Sequence, residues 1–156
     1  MSELPFSIQI KKSKKILELY REGVLLREYE IGLGRSALGH KREEGDHRTP
    51  EGDYFICAKN PKSQFHLSLG ISYPNSRDAE QALWEGRLSE EETGSIVAAN
   101  QKKQRPPWNT VLGGEIYIHG GLERHPDSRG CIVMKDSQIE ELFHLISYGT
   151  PIKILP

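Results

Sequence analysis

The alternation of apolar and polar residues along most of the chain predicts a fold built mainly from short β-strands. Near the N-terminus, Phe6, Ile8 and Ile10 alternate with polar residues. Two further apolar stretches, residues 16–20 and 24–31, flank a turn that contains a glycine. This arrangement is typical of a meander of antiparallel strands.

The same pattern predicts further strands downstream: residues 54–57 after a Thr-Pro-Glu-Gly turn, residues 65–73 before Pro74, residues 115–119, and a closing, edge-like strand at 152–154. Successive side chains of a strand point to opposite faces. In the strand at 115–119, Ile116 and Ile118 therefore share one face, and Tyr117 and His119 share the other. The polar face of this strand carries a histidine.

Residues 76–114 differ from this pattern and predict a helical insertion. Asp78 is followed three positions later by Gln81, and Ser89 is followed by Glu92. Each pair fits a helix-capping residue with its partner in the first turn, so two short helices are expected. The insertion is either a surface excursion or a lid or wall over a site, and both interpretations stay open.

A C-terminal helix is predicted by apolar residues at helical spacing: Ile139, Leu142, Phe143 and Ile146. Asp136 or Ser137 is expected to cap it. The prediction is a mainly β, single domain over residues 1–156, with a helical insertion at 76–114 and a helix near the C-terminus.

Composition and charge exclude several classes of function. The 156 residues suit one domain, and 21 basic against 22 acidic residues give a net charge of −1. A chain this close to neutral has no field to attract nucleic acid, so no nucleic-acid partner is expected. No run of 18 apolar residues exists, so no membrane span is expected. The N-terminus shows no signal peptide, either because the protein is made without one or because the start was removed.

The two cysteines have different surroundings. Cys57 lies inside an apolar strand and is expected to be a packing residue. Cys131 instead follows a polar loop and Gly130, and His119 precedes it by twelve positions. A cysteine attacks as its thiolate, so it needs a base such as histidine beside it. The Gly120 carbonyl could fix the tautomer of that histidine, and amides around Gly130 could stabilise an oxyanion.

A metal site is the first alternative, because His119, His125 and Cys131 fall at six-residue intervals with Asp127 between them. Zinc accepts such ligands, but this spacing matches no compact zinc finger. No metal and no cofactor are therefore predicted.

His119-Gly120, followed by a loop and then by Ser128-Arg-Gly-Cys131-Ile, resembles the signature of the L,D-transpeptidase catalytic domain, the YkuD-type family. Residues 45–52, Gly-Asp-His-Arg-Thr-Pro-Glu-Gly, resemble a turn of that family. Residues 65–75 resemble a segment of its murein-processing branch, and residues 149–154 fit its ending. The resemblance thus rests on four separated matches.

The resemblance implies a β-sandwich-like fold with the site at one end. It implies acyl transfer on peptidoglycan stem peptides outside the cytoplasmic membrane, through a thioester that an amine or water resolves. The alternatives are an L,D-carboxypeptidase or amidase that hydrolyses the same class of bond, and an idle module that only binds peptidoglycan. A monomer is expected.

The resemblance also assigns roles to residues. Cys131 would be the nucleophile, His119 the base, Gly120 its orienting carbonyl, and the amides of Gly130 and Cys131 the oxyanion hole. Apart from these roles, substrate binding is expected of Arg129, Ser128, His66 and Tyr73, with loop support as the simpler role of Ser128.

Two residues depart from the family pattern. Arg129 stands in place of a histidine, and Val133 in place of an arginine or asparagine. Arg129 could supply the positive charge that Val133 lacks, or it could be a solvated loop residue.

Overall fold

The computed structural model describes residues 4–36, 38–63 and 66–156. In chain order, its strands and helices are β1 Phe6–Lys11, β2 Ile16–Arg21, β3 Val24–Glu30, β4 Gly52–Ser63, β5 His66–Ile71, α1 Ser76–Trp84, α2 Glu90–Gln101, β6 Tyr117–His119, β7 Ile132–Val133, α3 Asp136–Leu145 and β8 Pro151–Leu155. The predicted strand at 65–73 corresponds to β5, and Phe65 lies outside the described residues.

The eight strands form one curled sheet in the order β3-β2-β1-β8-β4-β5-β6-β7. The long strand β4 joins its two halves, since residues 52–55 pair with β8 and residues 56–63 pair with β5. Helix α3 packs on β5 and β6, and α1 packs on α2. The prediction of a mainly β fold with short helices is confirmed.

The closing strand β8 is not at an edge of the sheet, so that prediction is wrong. It pairs in parallel with β1 and antiparallel with β4, in the interior of the sheet. Ile152 and Ile154 are buried while Lys153 is exposed. Alternation of this kind reports which face of a strand is buried, but not whether other strands flank it. Pro151 is the first residue of β8, a position where its missing N–H is tolerated.

The helix starts agree only in part with the predicted caps. Ser89 caps α2 and shares a capping box with Glu92, as expected. The cap of α1 is Asn75, because its side chain accepts the Asp78 amide. Asp78 is therefore the partner of Asn75 in that capping box, three residues after the cap and within α1. Helix α3 begins after Lys135 with no side-chain cap, so neither Asp136 nor Ser137 has the predicted role.

Within residues 4–36, 38–63 and 66–156, no helix is both long and apolar enough to cross a membrane.

Candidate active site

The thiol of Cys131 lies against the start of β6, just before β7 begins. Its Sγ accepts the Tyr117 amide at 3.4 Å and donates to the Glu115 carbonyl at 3.6 Å. The residue is half-buried. The sulfur is thus fixed by backbone groups two to four residues before His119.

His119 is the last residue of β6 and is buried, with 7% of its surface exposed. Its Nδ1 lies 2.6 Å from the carbonyl oxygen of Gly120. A carbonyl can only accept, so Nδ1 carries the proton, and in the neutral ring Nε2 then carries the lone pair. This is the contact that the sequence predicted for Gly120, and it leaves Nε2 as the basic nitrogen.

Register places Cys131 and His119 on the same face of the sheet. Strands β6 and β7 are parallel, with Ile118 opposite Ile132 and His119 opposite Val133. Side chains alternate along each strand, so Tyr117, His119 and Val133 share a face. Cys131 is two residues before Val133, and its sulfur lies at Tyr117. The cysteine and the histidine are therefore diagonal neighbours across two adjacent strands.

Burial favours the neutral forms of both groups. Desolvation lowers the pKa of His119 below its ordinary 6.5, and the bond to Gly120 opposes this in part. Desolvation also raises the pKa of Cys131 above its ordinary 9.0, and the Tyr117 amide and the charge of Lys41 oppose the rise. At neutral pH the site therefore holds a thiol and a neutral imidazole.

Lys41 is a positive group that sequence reasoning missed. It is buried, bonds Asp46 at 3.0 Å and the Glu43 carbonyl at 2.9 Å, and lowers the pKa of Cys131 by its charge. Arg129 is exposed and is not among the groups that shift this pKa. Lys41 precedes the family-like turn at 45–52, and no spacing in the sequence links it to Cys131.

The loop before the nucleophile is held by two hydroxyl groups. Ser128 Oγ donates to the Cys131 carbonyl at 2.6 Å and accepts the Gly130 amide at 3.1 Å. Thr49 Oγ1, fully buried, donates to the Gly130 carbonyl at 2.8 Å. The structure thus gives Ser128 the loop-supporting role, and its contact with substrate stays a prediction. Thr49 is a supporting residue that the sequence analysis did not single out.

Gly130 has a conformation that other residues rarely adopt. Its φ is +135°, and a Cβ there would lie 2.8 Å from the Arg48 carbonyl oxygen. Because its amide already bonds Ser128, the Cys131 amide is the stronger candidate for the oxyanion hole.

The end of the 76–114 segment packs against Tyr117, the residue whose amide bonds Cys131. The Trp108 ring packs edge-on against Tyr117 at 5.6 Å between centroids. The guanidinium of Arg105 lies 4.8 Å from the centre of the Trp108 ring. Gly114 lets the Trp108 ring pack against its backbone, since a Cβ there would overlap that ring. The last part of the segment thus contacts the residue whose amide bonds Cys131, and its role as a wall over a site stays a prediction.

Two other predicted substrate-binding residues have hydrogen-bond partners within the protein. Tyr73 has 0% of its surface exposed, and its hydroxyl donates to the Leu112 carbonyl at 3.0 Å. It is a core residue, so its assignment as a substrate contact is wrong. His66 is exposed at the start of β5 and bonds Glu140 of α3 at 2.7 Å, so its substrate contact stays a prediction.

A cavity of about 610 Å³ lies beside α1 and is lined by His40, Tyr54, Tyr73 and Asp78 among others, but not by Cys131 or His119. His40 and the Tyr54 hydroxyl both bond Asp78, at 2.7 and 2.8 Å. These polar groups satisfy one another and attach α1 to the sheet. The cavity is thus separate from the thiol and the imidazole.

The zinc alternative gains no support from the geometry. Among the residues that the structure describes, no three His, Cys, Asp or Glu side chains come together to hold a metal ion.

The two cysteines are expected to differ in reactivity. Burial raises the pKa of Cys57 to about 12, so its thiolate is scarce at neutral pH. With iodoacetamide at pH 7 to 8, Cys131 should be alkylated about ten-fold faster or more, because a base and an amide assist it. Peptide mapping over time measures both rates in one sample. Equal rates in the folded protein would contradict activation of Cys131.

Comparison with known proteins identifies the family to which this domain belongs. The model of the L,D-transpeptidase catalytic domain, YkuD, matches residues 5–154. The chain belongs to this family.

Named relatives agree with this assignment. The chain is 26% identical over 157 residues to YafK of Escherichia coli (strain K12), a protein provisionally named as an L,D-transpeptidase. That match covers 94% of the chain and 51% of YafK. The chain thus spans about half the length of this curated relative.

Solved structures show the same fold. The helical cell shape determining protein Pgp2 of Campylobacter jejuni superposes with a TM-score of 0.66 at 23% identity, over 96% of this chain and 46% of Pgp2. Bd1075 of Bdellovibrio bacteriovorus gives 0.64 at 25% identity, over 97% and 48%. An L,D-transpeptidase from Mycobacterium smegmatis gives 0.59 at 12% identity, over 97% and 59%.

Proposed function

We propose that this domain transfers acyl groups of peptidoglycan stem peptides by way of a thioester on Cys131. The observation that carries the proposal is the His119 to Gly120 bond, which places the lone pair on Nε2 of a neutral imidazole. That imidazole shares a sheet face with the thiol. A thiol paired with an oriented base is the arrangement that acyl transfer by cysteine requires.

In the acylation step, Sγ of Cys131 attacks the carbonyl carbon of the diamino-acid residue, and Nε2 of His119 takes the thiol proton. The C–N bond to the terminal D-amino acid then breaks, and Nε2–H returns the proton to the leaving amine. The product is a thioester and a free D-amino acid. The nitrogen of an amine then attacks the thioester carbonyl carbon and gives a proton to Nε2. The C–S bond breaks, and Nε2–H returns the proton to Sγ, which restores the Cys131 thiol. Water in place of the amine gives hydrolysis.

The groups around Cys131 favour proton transfer to His119 during acylation over a thiolate and imidazolium pair that exists before the substrate binds. The thiol proton points at the Glu115 carbonyl, and rotation about the Cβ–Sγ bond redirects it without moving the sulfur. The charge of Lys41 offsets part of the cost of forming a thiolate in a desolvated site. The Cys131 amide is proposed to donate to the tetrahedral oxyanion, with Ser128 and Thr49 holding the loop.

The substrate we propose is a peptidoglycan stem peptide. The domain is proposed to act on it as a monomer, outside the cytoplasmic membrane. Members of the family act on peptidoglycan. Arg129 is exposed beside the nucleophile and is proposed to meet a carboxylate of that peptide. An L,D-carboxypeptidase or amidase would share every step up to the thioester and differ only in the group that resolves it.

The proposal is tested by trapping the thioester. Incubation with a disaccharide-tetrapeptide is expected to add the mass of the acyl fragment to the protein, with one D-amino acid released per adduct. Peptide mapping should place the adduct on Cys131, and Cys57→Ser should form it equally well because burial raises the pKa of the Cys57 thiol to about 12. No adduct on the wild-type protein, or an adduct on Cys57, would contradict the proposal.

The same mixture distinguishes the alternatives. An added amine acceptor should appear in the product of a transpeptidase, whereas a hydrolase should release only the shortened peptide. Binding to sacculi without any turnover would favour an idle binding module.

A further inference from the structure

The peptide group between Gly120 and Gly121 is held at both of its polar ends. Its carbonyl oxygen accepts the Nδ1 proton of His119 at 2.6 Å. Its N–H donates to Oδ1 of Asp136 at 2.9 Å. A peptide group is planar and rigid, so a bond that fixes the N–H also fixes the direction of the carbonyl. Asp136 therefore determines where the partner of His119 lies.

The hydrogen bond from the Gly121 amide to Asp136 has an ionised carboxylate as its acceptor. Arg124 bonds this carboxylate, and that bond, with the Gly121 amide, lowers the pKa of Asp136 below its usual value. The group is thus ionised at neutral pH. A hydrogen bond to an ionised acceptor is stronger than a neutral one, and it polarises the amide so that its carbonyl becomes a better acceptor. His66 and Arg124 are the charged neighbours that face Asp136 from other elements.

Gly121 makes this geometry accessible. Its φ is +102°, in the region that side chains other than glycine disfavour, and the turn it makes directs its N–H toward the first residue of α3.

We propose that Asp136 is a positioning residue for His119, and that it acts through the peptide group between Gly120 and Gly121. This rests on the proposed function, in which His119 is the general base. When Nε2 takes the thiol proton, the ring becomes an imidazolium, and the polarised Gly120 carbonyl stabilises that charge through Nδ1–H. The carboxylate thus supports the base from one peptide group away, the role that a directly bonded acid has in other triads.

A purely structural role for Asp136 makes different predictions. As the first residue of α3, an acid also stabilises the helix start through the helix dipole. Loss of that effect would lower the melting temperature without changing the ionisation of His119.

The experiment compares Asp136→Ala and Asp136→Asn with Arg124→Gln, which removes the exposed ion pair but leaves the Gly121 bond. Asp136→Ala is expected to lower kcat by about 10- to 100-fold with little change in KM, the scale typical of supporting residues. Asp136→Asn keeps an acceptor without the charge and should recover most of the loss. Arg124→Gln should stay within about two-fold of the wild-type protein.

Nuclear magnetic resonance of the ligand-free protein gives a second measurement. The Gly120 bond raises the pKa of His119, so weakening it should lower that pKa and move the Nδ1 proton signal upfield. Asp136→Ala is expected to show both changes, and Asp136→Asn smaller ones.

An unchanged His119 titration and Nδ1 signal in folded Asp136→Asn and Asp136→Ala would overturn the inference, as would an equal loss of kcat in Arg124→Gln. The spectra need no substrate. A wild-type protein that forms no thioester would therefore count against the proposed function, while the spectra still decide the role of Asp136.

Discussion

Replacing Cys131 by alanine is expected to abolish turnover, with a fall in kcat of about 10⁶-fold, as in other enzymes that lose their nucleophile. The expectation follows from the position of the sulfur, which receives the Tyr117 amide and shares a sheet face with His119. Methyl in place of thiol leaves no atom that can form an acyl bond. The thioester adduct should vanish together with turnover.

The matched control is Cys57→Ser, on β4. Burial raises the pKa of Cys57 to about 12, and it has no paired base, so activity should be retained. A Cys131→Ala protein that still turned over substrate would exclude Cys131 as the nucleophile. Binding of sacculi by Cys131→Ala at wild-type strength is compatible with the proposal only if turnover is lost.

Replacing His119 by glutamine is expected to lower kcat by about 10² to 10⁴-fold at pH 7, the usual contribution of a general base. Glutamine occupies similar space but cannot take the thiol proton. The remaining activity should depend on thiolate formed by direct ionisation of Cys131.

The pH profile gives the sharper result, and its sign follows from burial. Because the pKa of His119 is lowered, the wild-type imidazole stays neutral at pH 7, and kcat should fall only when the pH drops below about 6.5. In His119→Gln this acid limb should disappear. Activity should instead rise with pH toward the raised pKa of Cys131, above 9.0. An acid limb that persists in His119→Gln would assign it to another group.

Local sequence was sufficient for the elements whose signals are short in range. The alternation at residues 6–10 and 16–20 predicts β1 and β2, and the Ser89 and Glu92 pair predicts the start of α2. The spacing of His119, Gly120 and Cys131 indicates a thiol and a base: His119 ends β6, and Cys131 directly precedes the adjacent strand β7. Such features succeed because each depends on residues within about a dozen positions of one another.

Other features depend on which segments meet, and the same local reasoning failed for them. Tyr73 continues the alternation of β5, yet the bond of its hydroxyl to the Leu112 carbonyl places it in the core. The closing strand has the pattern of an edge, yet β1 and β4 flank it.

The sequence by itself determined that this is a small, nearly neutral, mainly β domain with one cysteine in the context of a nucleophile. Only the tertiary structure decided the protonation states of Cys131 and His119 and which groups hold them in place. The charge of Lys41, the Thr49 hydroxyl and the Asp136 carboxylate reach it from separate segments of the chain. The physical reason is that desolvation and hydrogen bonding depend on distances in space, which the order of residues along the chain does not encode.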